Sequence, residues 1–561
     1  MAGGALVLVA VVALAFFVDL GRPAFWDPGE SRYAETVREM RATGNWIAPT
    51  LAFARYYDKP PPYFWVLAGS FAAFGRTEWA ARLPSAAAAV ATIALTVAFA
   101  WSRVGPRAAL GAGVVLATTA QVVALGRSVR MDMLLTFLTS VTLLQSFRLL
   151  GADARPASRP YPSATWPLYA ATALGILVKG PVGLLLPLLV VGAFVLVTRP
   201  PLRLARFRPG AASIVAIVGL VAWYVVQAVY VPDYLWTFLW QHNLGRFVGR
   251  ALAGHAEPIW FYAWILPVTF LPWTLFLPGA VRRALVCARR GDRLAAFLLL
   301  WCALPFVFFS LSRAKLATYL LPIAPALALI IAIYLDRVRR APAATRARAL
   351  AAPALVWSAA LAIVAVGAPI GTALTHPSYA RAALAALPLA VFGAAGWQVR
   401  RHAAWRAVPA LIAAGMLTLQ VLFFRVGAPI VDDFASLREA ARAADALPAD
   451  ALVFAYKTRG HSFTYYGGRR LLRVRSPIDV ARALGRGAPT AALVKVRHLE
   501  AIGAHLTRPA YVWWRSPSGR ALLANVPTPD GSGVPLAVPD APAADDTPQR
   551  SGAGPGAEGA L

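Results

Sequence analysis

The stretch Ala5-Leu-Val-Leu-Val-Ala-Val-Val-Ala-Leu-Ala-Phe-Phe-Val-Asp-Leu20 is nearly free of charge. Within five residues it gives way to Phe25-Trp-Asp-Pro-Gly-Glu-Ser-Arg-Tyr-Ala-Glu-Thr-Val-Arg-Glu-Met40. An apolar run close to the roughly 20 residues that span a bilayer, followed by carboxylates, cations and aromatics, reads as an anchor leading into a polar loop. A second dense block follows, Arg55-Tyr-Tyr-Asp-Lys-Pro-Pro-Pro-Tyr-Phe-Trp65. A membrane protein places charge where water, a headgroup or a reaction needs it, so this loop is where chemistry is expected. The first run does not read as a cleaved signal peptide. It lacks a basic leader, and Phe25-Trp26 stands where a small-residue cleavage site would be.

The rest of the chain repeats the apolar theme. Of 561 residues 59% are hydrophobic and 14% charged, which is not the composition of an ordinary soluble domain. Hydropathy predicts about thirteen spans, near 4–20, 82–102, 106–125, 131–150, 166–178, 181–198, 211–231, 259–279, 293–311, 317–336, 349–372, 382–399 and 405–425. The formal charge of +30 would suggest nucleic acid in a soluble protein, but the arginines cluster in short loops between apolar runs. Arg199–Arg208, Arg282–Arg293, Asp336–Arg348 and Arg400–Arg406 follow the positive-inside pattern of cytoplasmic loops. With no basic-aromatic groove module beside them, nucleic acid is excluded as a partner. Two cysteines, Cys287 and Cys302, imply neither a disulfide framework nor a zinc cluster.

If the first helix starts in the cytoplasm, every Arg-rich loop falls inside. The opening loop (22–78), Arg127–Asp132, Lys179-Gly180, the 232–258 loop, Arg313–Lys315 and the C-terminal region then share the outer face. Glu30–Arg41 fits an amphipathic interfacial helix with Tyr33, Val37 and Met40 on one side, and Tyr63–Phe74 a second one. Past residue 428 the composition changes. Helices are predicted at Ser436–Ala446 and Pro477–Leu484, and strands at Ala451–Tyr456, Ala491–Val496, Ala510–Trp514 and Ala521–Val526. The expected organisation is a polytopic α-helical membrane domain over 1–428, a small periplasmic α/β domain over 429–526, and a disordered Pro/Gly/Ala/Asp-rich tail over 527–561. No internal repeat is obvious, which weighs against an inverted-repeat lipid or sugar transporter, the reading from another functional class.

Each polar motif carries a structural and a chemical reading. Asp27-Pro28-Gly29-Glu30 resembles a helix-capping box, and equally offers a carboxylate at the membrane surface as general base or cation ligand. Lys59, between Asp58 and three prolines, either snorkels to headgroups or is held rigidly for a substrate phosphate. Asp132 opens an apolar helix, favourable with the helix dipole and costly enough at a membrane edge to suggest function. Lys179, Arg246, Arg313 and Lys315 add cations from distant parts of the chain, and several together suggest an anion site. His242 and His255 flank Arg246 but are weak evidence for a metal.

These residues resemble a known family. Glu30-Ser-Arg-Tyr-Ala-Glu35, Arg38-Glu-Met40, Gly44-Asn-Trp-Ile-Ala-Pro49 and Tyr56-Tyr-Asp-Lys-Pro-Pro61 resemble the first periplasmic loop of bacterial GT-C glycosyltransferases. The likeness is greatest to the aminoarabinose transferases that modify lipid A and to the wider protein-mannosyltransferase-like group. Met131-Asp132, Val178-Lys-Gly180, Gly245-Arg-Phe247, Leu271-Pro-Trp273 and Ser312-Arg-Ala-Lys-Leu-Ala-Thr-Tyr319 follow in family order. The resemblance implies transfer of a sugar from a polyprenyl-phosphate donor to a lipid A, envelope-glycan or protein acceptor, in a bacterial inner membrane with the site facing the periplasm. It implies that Lys59 and Arg246 hold the lipid phosphate, with Arg32, Tyr57, Asp58, Lys179, Arg313, Lys315 and Tyr319 around the substrates. Glu30, Asp27 and Asp132 are its acidic candidates. No cofactor is demanded, and a divalent cation is the one addition left open. One departure stands out: relatives commonly carry Asp-Glu where this chain has Gly29-Glu30. The carboxylate then comes from Glu30 or Asp27, or Asp132 carries more of the work.

Overall fold

The computed structural model describes residues 2–151, 165–199, 204–245, 256–375, 377–458 and 460–536. They divide into two compact units, Met1–Leu437 and Arg438–Leu561. In the first unit every predicted span is helical. Among the described residues seven helices are long and apolar enough to cross a membrane, or nine if two bent pairs each count as one. The chain is therefore a polytopic, mainly helical membrane protein.

The two bent pairs correct the expectation of uninterrupted spans at 106–125 and 259–279. Pro106–Thr118 and Ala120–Gly126 meet at 64°, and Phe261–Thr269 and Trp273–Arg289 at 110°. Thr118 and Thr119 turn their hydroxyls back onto the carbonyls of Val114 and Val115, which loosens the first helix. Pro272 has no N–H to continue the second. Backbone freed inside a membrane needs partners, and the two breaks supply each other. Ala120 N–H donates to the Leu271 carbonyl at 2.9 Å, Trp273 Nε1 to Thr118 Oγ1 at 3.0 Å, and Gln420 Nε2 to the Thr118 carbonyl at 3.2 Å.

The opening loop is ordered by packing as well as by helix propensity. Its helix runs Gly29–Thr43, with Tyr33, Val37 and Met40 buried as the pattern predicts. A second helix, Pro62–Phe74, packs beneath it, where Tyr33 meets Tyr63 edge-on at 5.7 Å and Phe64 at 5.9 Å. Between them a two-stranded hairpin, β1 (Thr50–Leu51) and β2 (Ala54–Arg55), turns through Ala52 and Phe53, both left-handed at φ 54° and 63°. That conformation is costly for residues other than glycine. It is held by Glu39, whose carboxylate accepts the Phe53 N–H at 3.1 Å and the Thr50 hydroxyl. The hairpin so pinned delivers Tyr56–Lys59.

The expected capping box at Asp27–Glu30 does not form. Pro28 holds the N-cap position with no side-chain bond, Asp27 Oδ1 accepts the Ser31 hydroxyl at 2.5 Å, and Glu30 turns away into the core. The entry strand is tied down elsewhere: Asp432 accepts Ala24 N–H at 2.9 Å and Trp26 Nε1 at 2.7 Å, and Asp27 N–H donates to the Ala435 carbonyl.

The second unit carries a six-stranded mixed sheet: β3 (Leu452–Tyr456), β4 (Leu471–Val474), β5 (Thr490–Lys495), β6 (Ala510–Arg515), β7 (Arg520–Ala524) and β8 (Val534–Leu536), in the order β4-β3-β5-β7-β6-β8. β4, β3 and β5 are parallel; the others pair antiparallel. Helix Pro477–Leu484 lies where predicted, its capping box formed by Ser476 and Asp479, and it buries Val480 and Leu484 against Phe454, Val494 and Leu523. The expected tail begins too early at 527, because β8 joins the sheet edge beside β6. Residues 537–561 lie outside the described residues.

Candidate active site

Helix Asp132–Leu149 and helix Trp166–Lys179 bring an acid and a base together at one end. Lys179 Nζ donates to Asp132 Oδ1 at 2.6 Å, and both side chains are largely buried. The position of Lys179 follows from close helix contact. Gly180 turns at φ 84° into the helix Val182–Thr198, and a Cβ on Gly183 would stand 2.3 Å from the Gly175 carbonyl carbon. A side chain at position 183 would keep the two helices from approaching this closely. The Lys179 ammonium also faces the Tyr319 ring at 5.3 Å.

The opening loop supplies the other half. Asp58 Oδ2 sits 3.8 Å from Lys59 Nζ and accepts the Tyr56 hydroxyl at 3.3 Å. Tyr33 lies among Arg32, Arg130, Asp132 and Asp58, all close enough to act on it electrostatically, and Lys59 and Arg130 act likewise on Asp132. Burial above all, then Asp132 and Asp58, push the Tyr33 phenol up to about 12 against Arg32 and Arg130. Burial, Tyr33 and Asp58 raise Tyr56 well above its usual range. Both phenols stay protonated at neutral pH, and Tyr56 donates to Asp58. Burial pulls the Arg32 guanidinium down, but Tyr56, Tyr33 and Asp58 raise it by more; its Nε is buried without a partner.

The structure thus brings together Arg32, Asp58, Lys59, Asp132, Lys179 and Tyr319 from the predicted set. Tyr57 turns to the next element and meets Tyr234 edge-on at 5.9 Å. Arg313 is exposed, and its carbonyl accepts the Glu257 N–H. Arg246 and His255 lie outside the described residues, as does the side chain of His242. Two candidates take structural positions instead. Glu30 forms a buried pair with Arg82, Nε to Oε1 at 2.8 Å and Nη2 to Oε2 at 2.6 Å, and also accepts the Val129 N–H at 2.9 Å. Lys315 spends its ammonium on the carbonyls of Glu257 (2.8 Å) and Ser312 (2.5 Å).

Arg82, Arg130, Tyr33 and Tyr56 were not among the predicted site residues. Arg82 could be suspected as a lone cation at the start of an apolar run. Arg130 could be suspected from its place two residues before Asp132. A Cβ on Gly29 would lie 3.2 Å from Arg130 Nη2, so position 29 borders that guanidinium.

Among the described residues no three His, Cys, Asp or Glu side chains converge on a metal-sized gap. The two carboxylates of the cluster each already face an ammonium.

A family model described as dolichyl-phosphate-mannose-protein mannosyltransferase matches residues 58–226. An undecaprenyl phosphate-α-4-amino-4-deoxy-L-arabinose arabinosyl transferase from Pseudomonas savastanoi pv. phaseolicola is 33% identical over 398 residues, 70% of this chain and 72% of that protein. One of the same name from Erwinia tasmaniensis is 33% identical over 384 residues, 67% of each chain. The crystal structure of ArnT from Cupriavidus metallidurans bound to undecaprenyl phosphate superposes with a TM-score of 0.75 over 96% of this chain and 99% of that one, at 23% identity, and so shares the fold.

Proposed function

The chain belongs to the GT-C family of undecaprenyl phosphate-α-4-amino-4-deoxy-L-arabinose arabinosyl transferases, and on that premise we propose that it moves this amino sugar from its undecaprenyl phosphate donor to lipid A or a related envelope glycan. The observation that carries the reading is the gathering of Arg32, Lys59, Arg130 and Lys179, from three separate stretches of chain, around Asp58 and Asp132. Such a surplus of cations suits a site whose substrates bring phosphate.

In this mechanism the bond between the anomeric carbon and the undecaprenyl phosphate oxygen breaks, and the electron pair leaves with that oxygen. Lys59 and Arg32, with Arg246, stabilise the charge gathering there. An acceptor oxygen attacks the opposite face of the sugar, inverting the centre. Asp132 is tied to Lys179, which makes it a weak base. That favours an acceptor whose oxygen is already anionic, such as a phosphate, over the hydroxyl of a protein. No step requires a carboxylate at position 29.

On this reading the chain lies in the bacterial inner membrane, its predicted spans crossing or dipping into the bilayer. The Arg-rich loops face the cytoplasm; the cation cluster and the second unit face the periplasm. Purified protein given undecaprenyl phosphate carrying a radiolabelled sugar tests the proposal. Release of the lipid phosphate is expected from the parent and not from Lys59→Ala or Arg246→Ala. Full activity in both folded variants sinks the phosphate-site model.

A further inference from the structure

The second unit has a feature that the transferase reading leaves unused. From β3 the chain passes through helix His461–Gly467 out to β4, then returns through Pro477–Leu484 across β3 to β5. Strand order therefore reverses between β3 and β5. In open α/β sheets the crevice outside the carboxyl ends of parallel strands at such a reversal is where ligands bind.

What the sequence places there is positive charge. Tyr456 is paired with Val474, Ala455 with Leu493, and Lys495 with Arg520. Arg475, Lys457, Lys495 and Arg520 consequently form a row along one end of four adjacent strands. Lys457 leaves β3 in a left-handed conformation, φ 51°, which a lysine adopts only at a cost. Its ammonium lies 5.3 Å from the Tyr456 ring, and that ring meets His498 edge-on at 5.0 Å. His498 Nε2 is buried with no hydrogen-bond partner. Burial, Arg497, Lys457 and Lys495 hold the imidazole below its ordinary range, so at neutral pH it is uncharged. The carboxylate on the neighbouring helix, Asp479, is spent on the Ser476 cap and on Arg482.

We propose that the carboxyl ends of β3 and β5 form a phosphate-binding site in which Lys457, Lys495 and Arg497 supply the charge and His498 Nε2 a directed polar contact. Three cations, an orphaned ring nitrogen and a strained backbone at a strand-order reversal together match the chemistry of a phosphate, free or borne on a lipid headgroup. The site lies wholly within the second unit.

The test is amide hydrogen exchange of the full-length protein in nanodiscs, followed in peptides covering 452–458 and 490–500. One arm adds inorganic phosphate to phosphatidylcholine discs, with chloride at equal ionic strength as control. The other compares phosphatidylglycerol discs with phosphatidylcholine discs. Exchange should slow about fivefold where phosphate reaches four times its Kd. Slowing by inorganic phosphate identifies a free-phosphate site, and slowing only in phosphatidylglycerol identifies a headgroup site. Lys457→Gly, which relieves the left-handed backbone and so should fold at least as well, is expected to lose the effect, as is Lys495→Gln. Lys59→Ala should keep it, which separates this site from phosphate binding in the membrane unit. No slowing in either arm overturns the proposal. So does equal slowing by chloride, or an undiminished effect in Lys457→Gly and Lys495→Gln.

Discussion

Two ion pairs in the first unit have nearly the same shortest contact and opposite surroundings. In Glu30–Arg82 the closest approach is 2.6 Å, and every polar hydrogen of the guanidinium is used. Nε and Nη2 bind Glu30, Nη1 donates to the carbonyls of Leu20 and Pro23, and Nη2 also to that of Ala24. In Asp132–Lys179 the contact is again 2.6 Å. There a single bond joins the partners, Asp132 Oδ2 has no partner among the described residues, and Arg130, Lys59 and Tyr319 crowd around. A pair that consumes all its bonding capacity holds a scaffold. A pair that keeps some in reserve can meet a substrate.

The largest expected effect lies on the scaffold side. Arg82→Ala strands a buried carboxylate and three carbonyls, at a cost of about 3–5 kcal/mol, with little folded protein recovered. Thermal unfolding in detergent measures it, and a parent-like melt would remove Glu30–Arg82 from the scaffold. Asp132→Asn and Lys179→Met should do the reverse. We expect kcat/KM to fall about 10²–10³-fold, as for loss of one charge-stabilising group, with melting nearly unchanged. The double variant should lose little more than either single one, because the two act as a unit. If these variants unfold as Arg82→Ala does, the distinction collapses. Tyr56→Phe removes one donor from Asp58 and should cost about three- to tenfold in kcat/KM, the value of a single hydrogen bond.

The same contrast explains what could be read from sequence. Spans, interfacial helices and most second-unit strands follow from periodicity, because burial of one face decides them. Asp132 stood out because a carboxylate at a membrane edge is costly without a purpose, Lys59 for its rigid proline setting, and Lys179 as one of several cations on one face. Glu30 stood out as a carboxylate at the membrane surface and serves the scaffold instead. What separates it from Asp132 is the partner reached across 52 residues, and a local pattern holds no record of that. The bends at Thr119 and Pro272 were equally hidden: each break is tolerated because the other supplies its hydrogen-bond partners.

Between the two extremes lies a third arrangement, on which the comparison can be sharpened by pH. Glu35 and Glu39 are both buried on the Gly29–Thr43 helix, one turn apart and in contact, and Arg38 makes two 2.7 Å bonds to Glu35. Burial pushes the Glu35 carboxyl up to about 7; Arg38 opposes the shift and Glu39 adds to it. A carboxyl whose folded pKa exceeds its unfolded value binds its proton more tightly in the folded state. Its contribution to stability is therefore complete below about pH 4.5 and is lost as pH rises through about 7. Because Glu39 holds the β1–β2 turn through Phe53, the loss loosens the hairpin that carries Tyr56–Lys59. Glu35→Gln fixes the neutral form. It should flatten the fall in melting temperature between pH 5 and 8 and stabilise the protein at pH 8 by on the order of 1 kcal/mol. A variant whose melting follows the parent at every pH would show that the Glu35 proton is not what the hairpin feels.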